Sequence, residues 1–287
     1  MIHTSTFKPN FFIKNRHIQT LFATYFRRQS RPKIQTEKFY LKDGDFVETV
    51  WQKRGLKDGN PIVVLFHGLA GSIDSPYIIG LMNALKSQNY ASVLMHFRGC
   101  GEKENLLPRA YHSGDTGDAK EFINYLKKEY PSSPLYGVGF SIGGNMLLKL
   151  LGEWREKSLL DLAVSISAPM RLDISADTIE RGFARVYQSY LLKPLNQMLL
   201  NKYKKFNMET ILGIDKSRVK KIKTIREFDE LYTSKIHKFK SSEEYYTKCS
   251  AKQFLKDIRT PTLIIHALDD PFMTPKIVSF SIENHRK

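Results

Sequence analysis

Apolar positions cluster along the chain at two spacings. Residues 37–41 and 46–51 flank Lys42-Asp43-Gly44-Asp45 and read as a β-hairpin closed by a glycine turn. Residues 61–66 are a continuous apolar run, as expected of a strand buried on both faces, and 91–96 reads as a second buried strand. Residues 134–139, 161–166 and 262–266 read as three further strands. Between them, 76–86, 115–130 and 142–153 carry helical character, the second stopped by Pro131. Strands alternating with helices predict a parallel sheet covered on both faces.

The alternation breaks from 169 to 250. This stretch reads as helical and is too long for a plain crossover, so it is expected to be a cap inserted over one edge of the sheet. The expected division is an N-terminal helical arm at 1–34, a core at 35–168 and 251–287, and a cap at 169–250. In the arm, Ile18, Leu21, Phe22, Tyr25 and Phe26 form one apolar stripe, expected to pack on the domain, the alternative being a membrane surface met with Arg27, Arg28, Arg31 and Lys33.

Charge changes this picture little. Forty-five Lys and Arg against 29 Asp and Glu leave +16, and 181–260 alone holds 19 against 8. Such a field suits anionic surfaces, and a weak attraction to them is expected. No nucleic-acid-binding signature accompanies the charge, so no nucleic-acid partner is expected. No apolar run approaches the ~18 residues of a membrane span, and no secretory signal precedes residue 10. Cys100 and Cys249 fit neither a disulfide scaffold nor a zinc spacing. A reducing cytoplasm is the expected compartment. No cofactor or metal is expected, for there is no phosphate-binding glycine loop.

Candidate chemistry concentrates at Gly139-Phe140-Ser141-Ile142-Gly143. This G-x-S-x-G follows an apolar strand and opens a helix. A sharp strand-to-helix turn presents the Ser141 hydroxyl, and the flanking glycines let strand and helix pass without Cβ clashes. The Ile142 N–H points where an oxyanion would form. A second donor, the Leu69 N–H, is expected from His67-Gly68-Leu69-Ala70-Gly71, the loop after residues 61–66. His67 reads as a residue that orients this loop. The triad acid is expected after residues 262–266, at Asp270 with Asp269 as the alternative.

In order, Phe66-His-Gly-Leu-Ala-Gly-Ser72, Met95-His-Phe-Arg-Gly-Cys100, Tyr111-His-Ser-Gly-Asp-Thr116, Gly139-Phe-Ser-Ile-Gly-Gly-Asn145, Arg226-Glu-Phe-Asp229 and Leu263-Ile-Ile-His-Ala267 resemble the YheT-like branch of the α/β-hydrolases. Asn15-Arg-His-Ile-Gln-Thr20 resembles that branch's N-terminal signature. The resemblance implies an α/β-hydrolase fold, a mostly parallel sheet with a helical cap. It also implies a serine esterase cleaving short- to medium-chain carboxylic esters, with Ser141 and Asp270 in the triad. Arg98 is expected to brace its loop by pairing with Asp115 or Asp118, and Cys100 to be packing.

The family's base lies in a Gly-Gly-His loop roughly thirty residues after the acid. Here 17 residues follow Asp270, with no Gly-Gly-His. The last strand and helix are therefore expected to be missing, leaving an open sheet edge beside 262–266. Of eight histidines, only His285 follows the acid. The alternative to an active esterase is a catalytically inactive fragment that binds a ligand or partner.

Overall fold

The computed structural model describes residues 3, 5–26 and 29–274. Seven strands form one sheet in the order β1-β2-β4-β3-β5-β6-β7. They are β1 (Gln35–Tyr40), β2 (Phe46–Gln52), β3 (Ile62–Phe66), β4 (Ala91–Met95), β5 (Leu135–Phe140), β6 (Leu162–Ile166) and β7 (Thr262–Ile265). β1 and β2 form the hairpin, turned at Gly44 with φ +82°, and β2 pairs antiparallel with β4. All later pairings are parallel. Val64 of β3 lies between Val93 and Gly137, so the sheet's centre is its most apolar region.

The period of two divides the core into layers. Ile62, Val64 and Phe66 face one side and pack with α3 (Gly117–Glu129) and α4 (Ile142–Trp154) through Ile123, Leu126 and Leu147. Val63 and Leu65 face the other side, against Ile78 and Met82 of α2 (Pro76–Ser87). At the far edge, β7 pairs only with β6 among the described residues, and Leu263, Ile264 and Ile265 are all exposed.

Between β6 and β7 the described elements are all helical. They begin with α5 (Leu172–Ile179) and α6 (Ala184–Lys205) and return through Ser242–Cys249 and Ala251–Asp257. Long-range polar contacts hold this insertion to the core. The Lys202 ammonium donates to Asn105 Oδ1 (2.5 Å) and the Leu107 carbonyl (2.6 Å). Burial lowers its pKa to about 8. Tyr232 donates to the Pro108 carbonyl, and Tyr245 accepts the Ser113 N–H. In the arm, α1 (Arg16–Phe26) places Leu21 against Ile179, Ala184 and Tyr187, while Ile18 and Phe26 remain exposed.

Arg98 is fully buried. Its guanidinium forks onto Asp118 with two bonds of 2.7 Å and reaches Asp45 (2.9 Å) and Asp43 (2.8 Å). Asp115, the other expected partner, pairs with Arg109 at 2.5 Å.

Candidate active site

The sharp turn at Ser141 is a steric necessity. Its φ of 52° and ψ of −121° lie in a region costly for any residue with a Cβ. The neighbouring glycines make that backbone possible. A Cβ on Gly139 would sit 2.5 Å from the Gly143 carbonyl oxygen, and one on Gly143 would sit 2.5 Å from the His67 carbonyl oxygen. The Ser141 N–H donates to the Ile166 carbonyl at 2.8 Å, clamping the turn to β6. Ile142 is the first residue of α4, so its N–H is among those that helix geometry leaves unpaired.

The loop after β3 is held by two phenols. The Tyr77 hydroxyl accepts the Gly68 N–H and the Tyr111 hydroxyl accepts the Ala70 N–H, both at 2.9 Å. The Leu69 N–H between them has no hydrogen-bond partner among the described residues. A Cβ on Gly68 would touch the Ser141 Cβ at 3.3 Å, so this loop abuts the turn. His67 holds the loop from beneath. Its Nδ1 donates to the Gly68 carbonyl (2.7 Å) and its Nε2 accepts the Phe97 N–H (3.1 Å). Burial, aided by His96, lowers its pKa to about 3, so it stays neutral.

A cavity of about 500 Å³ opens here. Ser141, Leu69, Ile142, Asp269 and Asp270 all line it. The cap contributes an apolar wall that includes Leu172, Ile179, Leu191, Leu195, Met198 and Phe228. Asp270 is buried and Asp269 exposed. Burial raises the Asp270 pKa, opposed by the Phe272 N–H at 2.9 Å and by nearby His266. The Ser141 hydroxyl has no hydrogen-bond partner among the described residues, and His285 lies outside them.

Two features in or beside the cavity carry no clear mark in the sequence. Asp229, in a π-helical turn (Asp229–Thr233), accepts the Thr233 and Tyr246 hydroxyls at 2.7 and 2.8 Å. Burial raises its pKa to about 6. The only signal was its place in Arg226-Glu-Phe-Asp229. His112, Asp115 and His237 bring ligand atoms within 4.8 Å of one another, a spacing that could hold a cation. The Arg109 guanidinium already occupies Asp115, and His112 Nδ1 accepts the Gly114 N–H.

A family model described as the alpha/beta hydrolase fold matches residues 61–283. YheT of Escherichia coli (strain K12) is 40% identical over 96% of this chain and 81% of its own length. This chain belongs to the YheT-like branch of the α/β-hydrolases. A monoacylglycerol lipase of Saccharomyces cerevisiae (strain ATCC 204508 / S288c) is 30% identical over 75% of this chain, which spans 49% of that lipase. Among solved structures, the Pyrococcus furiosus esterase Pf2001 shares the fold with a TM-score of 0.59 at 17% identity. That match covers 88% of this chain and 78% of the esterase. Family and fold place the chain among the serine ester hydrolases.

Proposed function

We propose that this chain cleaves short- to medium-chain carboxylic esters through an acyl-enzyme on Ser141. The observation that carries the reading is the Ser141 hydroxyl on a strained turn, lining an apolar cavity beside the N–H groups of Leu69 and Ile142. Attack by Ser141 Oγ forms a bond to the ester carbon, and the negative charge gathers on the former carbonyl oxygen. Leu69 and Ile142 donate to that oxygen, each worth about 2.7–4 kcal/mol in the transition state. The proton leaving Ser141 Oγ is passed by the base to the alkoxide oxygen as the ester C–O bond breaks and the alcohol departs. Water then adds to the acyl carbon, releasing the carboxylic acid and returning a proton to Ser141. Asp270, the buried one of the two acids, is the triad acid that would orient a histidine base. In this fold the base follows the acid in sequence, and His285, which follows it here, lies outside the described residues.

The two cysteines are both free, as a reducing cytoplasm would leave them. No helix among the described residues is long and apolar enough to cross a membrane. The net charge of +16 supports a weak attraction to anionic surfaces.

A second reading, ester binding without turnover, is favoured by one observation: no imidazole among the described residues is bonded to Ser141. A fluorophosphonate probe separates the two. Rapid single labelling by intact mass, lost in Ser141→Ala, is expected of the hydrolase. A folded chain that stays unlabelled establishes the second reading.

A further inference from the structure

The N-terminal arm and the start of α6 carry exposed aromatic rings that the hydrolytic reading leaves unused. Phe11 and Phe12 are 74% and 85% exposed, and Phe7 is equally open. They lead directly into α1, whose Arg16 is exposed and also lines the cavity, which sets α1 at its mouth. His17 ties this arm to the cap. Its ring lies 4.6 Å from that of Phe183, and its Nδ1 is 3.2 Å from the Tyr187 hydroxyl. From Phe12 to His17 the chain can span at most about 18 Å, so Phe12 lies within that distance of the residue that touches Phe183.

α6 continues the surface. Val186 and Tyr190 follow Phe183 at helical spacing, and all three are exposed. On its other side α6 sends Leu191, Leu195 and Met198 into the cavity. One helix thus separates the ester cavity from an outward aromatic face.

The arm and the start of α6 carry charges of one sign, with Glu180 next to them and exposed Asp269 on the cavity lining. Residues 5–26 and 181–193 contain Lys8, Lys14, Arg16, Arg181, Arg185 and Lys193 and no Asp or Glu. All six are exposed. Aromatic rings interleaved with six exposed cations, on two segments that contain no acid, match a bilayer of anionic lipid. Rings enter the acyl boundary while Lys and Arg stay at the headgroups.

We propose that the arm and the start of α6 dock this chain on anionic bilayers, with the cavity mouth at the lipid surface. This goes beyond the hydrolytic reading and stands apart from it, because vesicle binding is measured without turnover. The full chain is floated with vesicles of phosphatidylcholine alone and of phosphatidylcholine with 30% phosphatidylglycerol, the latter expected to bind at least tenfold more tightly. Phe11→Ser with Phe12→Ser is expected to weaken binding to the anionic vesicles at least tenfold. Lys216→Gln with Lys220→Gln, outside the patch, is expected to change it less than threefold.

A Phe12→Trp variant guards against misfolding of the serine variant. The emission it adds to that of native Trp51 and Trp154, taken as the difference from the parent chain, is expected to shift to the blue on anionic vesicles and to be quenched by brominated acyl chains. Equal binding to both vesicle types overturns the proposal. So does undiminished binding by the serine variant, or loss in the lysine variant alone, which would mean diffuse charge. Unshifted Phe12→Trp emission on vesicles that bind the chain also overturns it.

Discussion

Asn145 lies one turn into α4, fully buried, with its N–H on the Ser141 carbonyl at 3.0 Å. Its Nδ2 donates to the carbonyls of Ser113 and Cys249, both at 2.9 Å, and its Oδ1 accepts the Ala251 N–H at 2.8 Å. One amide therefore joins the nucleophile helix, the loop beneath the cap and the chain returning from the cap. Asn145→Leu keeps the approximate shape and removes every polar atom. One N–H and two carbonyls are then stranded, each at a cost of about 1–3 kcal/mol. Carbonyls tolerate missing partners better than N–H groups, so the sum falls near 3–6 kcal/mol. That is a large part of a typical total stability of about 5–15 kcal/mol. Urea unfolding followed by circular dichroism reads it directly. With an m value near 3 kcal/mol/M, the midpoint should fall by about 1–2 M. A shift below about 0.3 M would refute the claim that this amide is a structural junction.

Other expectations follow from the same reasoning. Arg98→Met strands buried Asp45 and Asp118 and should cost about 3–5 kcal/mol in urea unfolding; a loss under 1 kcal/mol would contradict the brace. Ser141→Gly should abolish probe labelling yet raise the melting temperature by about 1–3 °C, because glycine relieves the positive φ; a lower melting temperature would argue against strain. His67 and His96 are buried with pKa values lowered to about 3 and about 4, below the unfolded 6.5. Between those values the unfolded chain binds more protons, so their contribution is full above pH 6.5 and is lost as pH falls. From pH 7 to 5 each loses about 2 kcal/mol, and urea midpoints that stay level between those pH values would count against this.

What was legible in the sequence was what local sterics enforce. Gly139 and Gly143 announce the turn because the clashes they avoid lie within a few residues or against the adjacent strand. Ile62, Val64 and Phe66 announce a strand because a buried parallel strand admits little else. The anchors of the cap were not legible. Lys202 meets Asn105 across 97 residues, and Asn145 meets Ala251 across 106, through pairings that only the folded chain creates. Arg98 fell between these cases. Its burial demanded carboxylates, and Asp118 was foreseen, but Asp45 comes from the hairpin turn and carries no local mark. Asp229 stood in a motif without a readable role, since its chemistry arises from the Tyr246 and Thr233 hydroxyls around it.

β7, the apolar outermost strand among the described residues, makes the protein's behaviour in solution a contest between two ranges of force. Sixteen uncompensated positive charges keep copies apart over roughly 10 Å at 0.1 M salt. Leu263, Ile264 and Ile265 act only on contact. Added salt shortens the repulsion and leaves the contact attraction intact, so ionic strength becomes the control on colloidal stability. Dilute buffer keeps the chain dispersed, and concentrated electrolyte drives strand edges together.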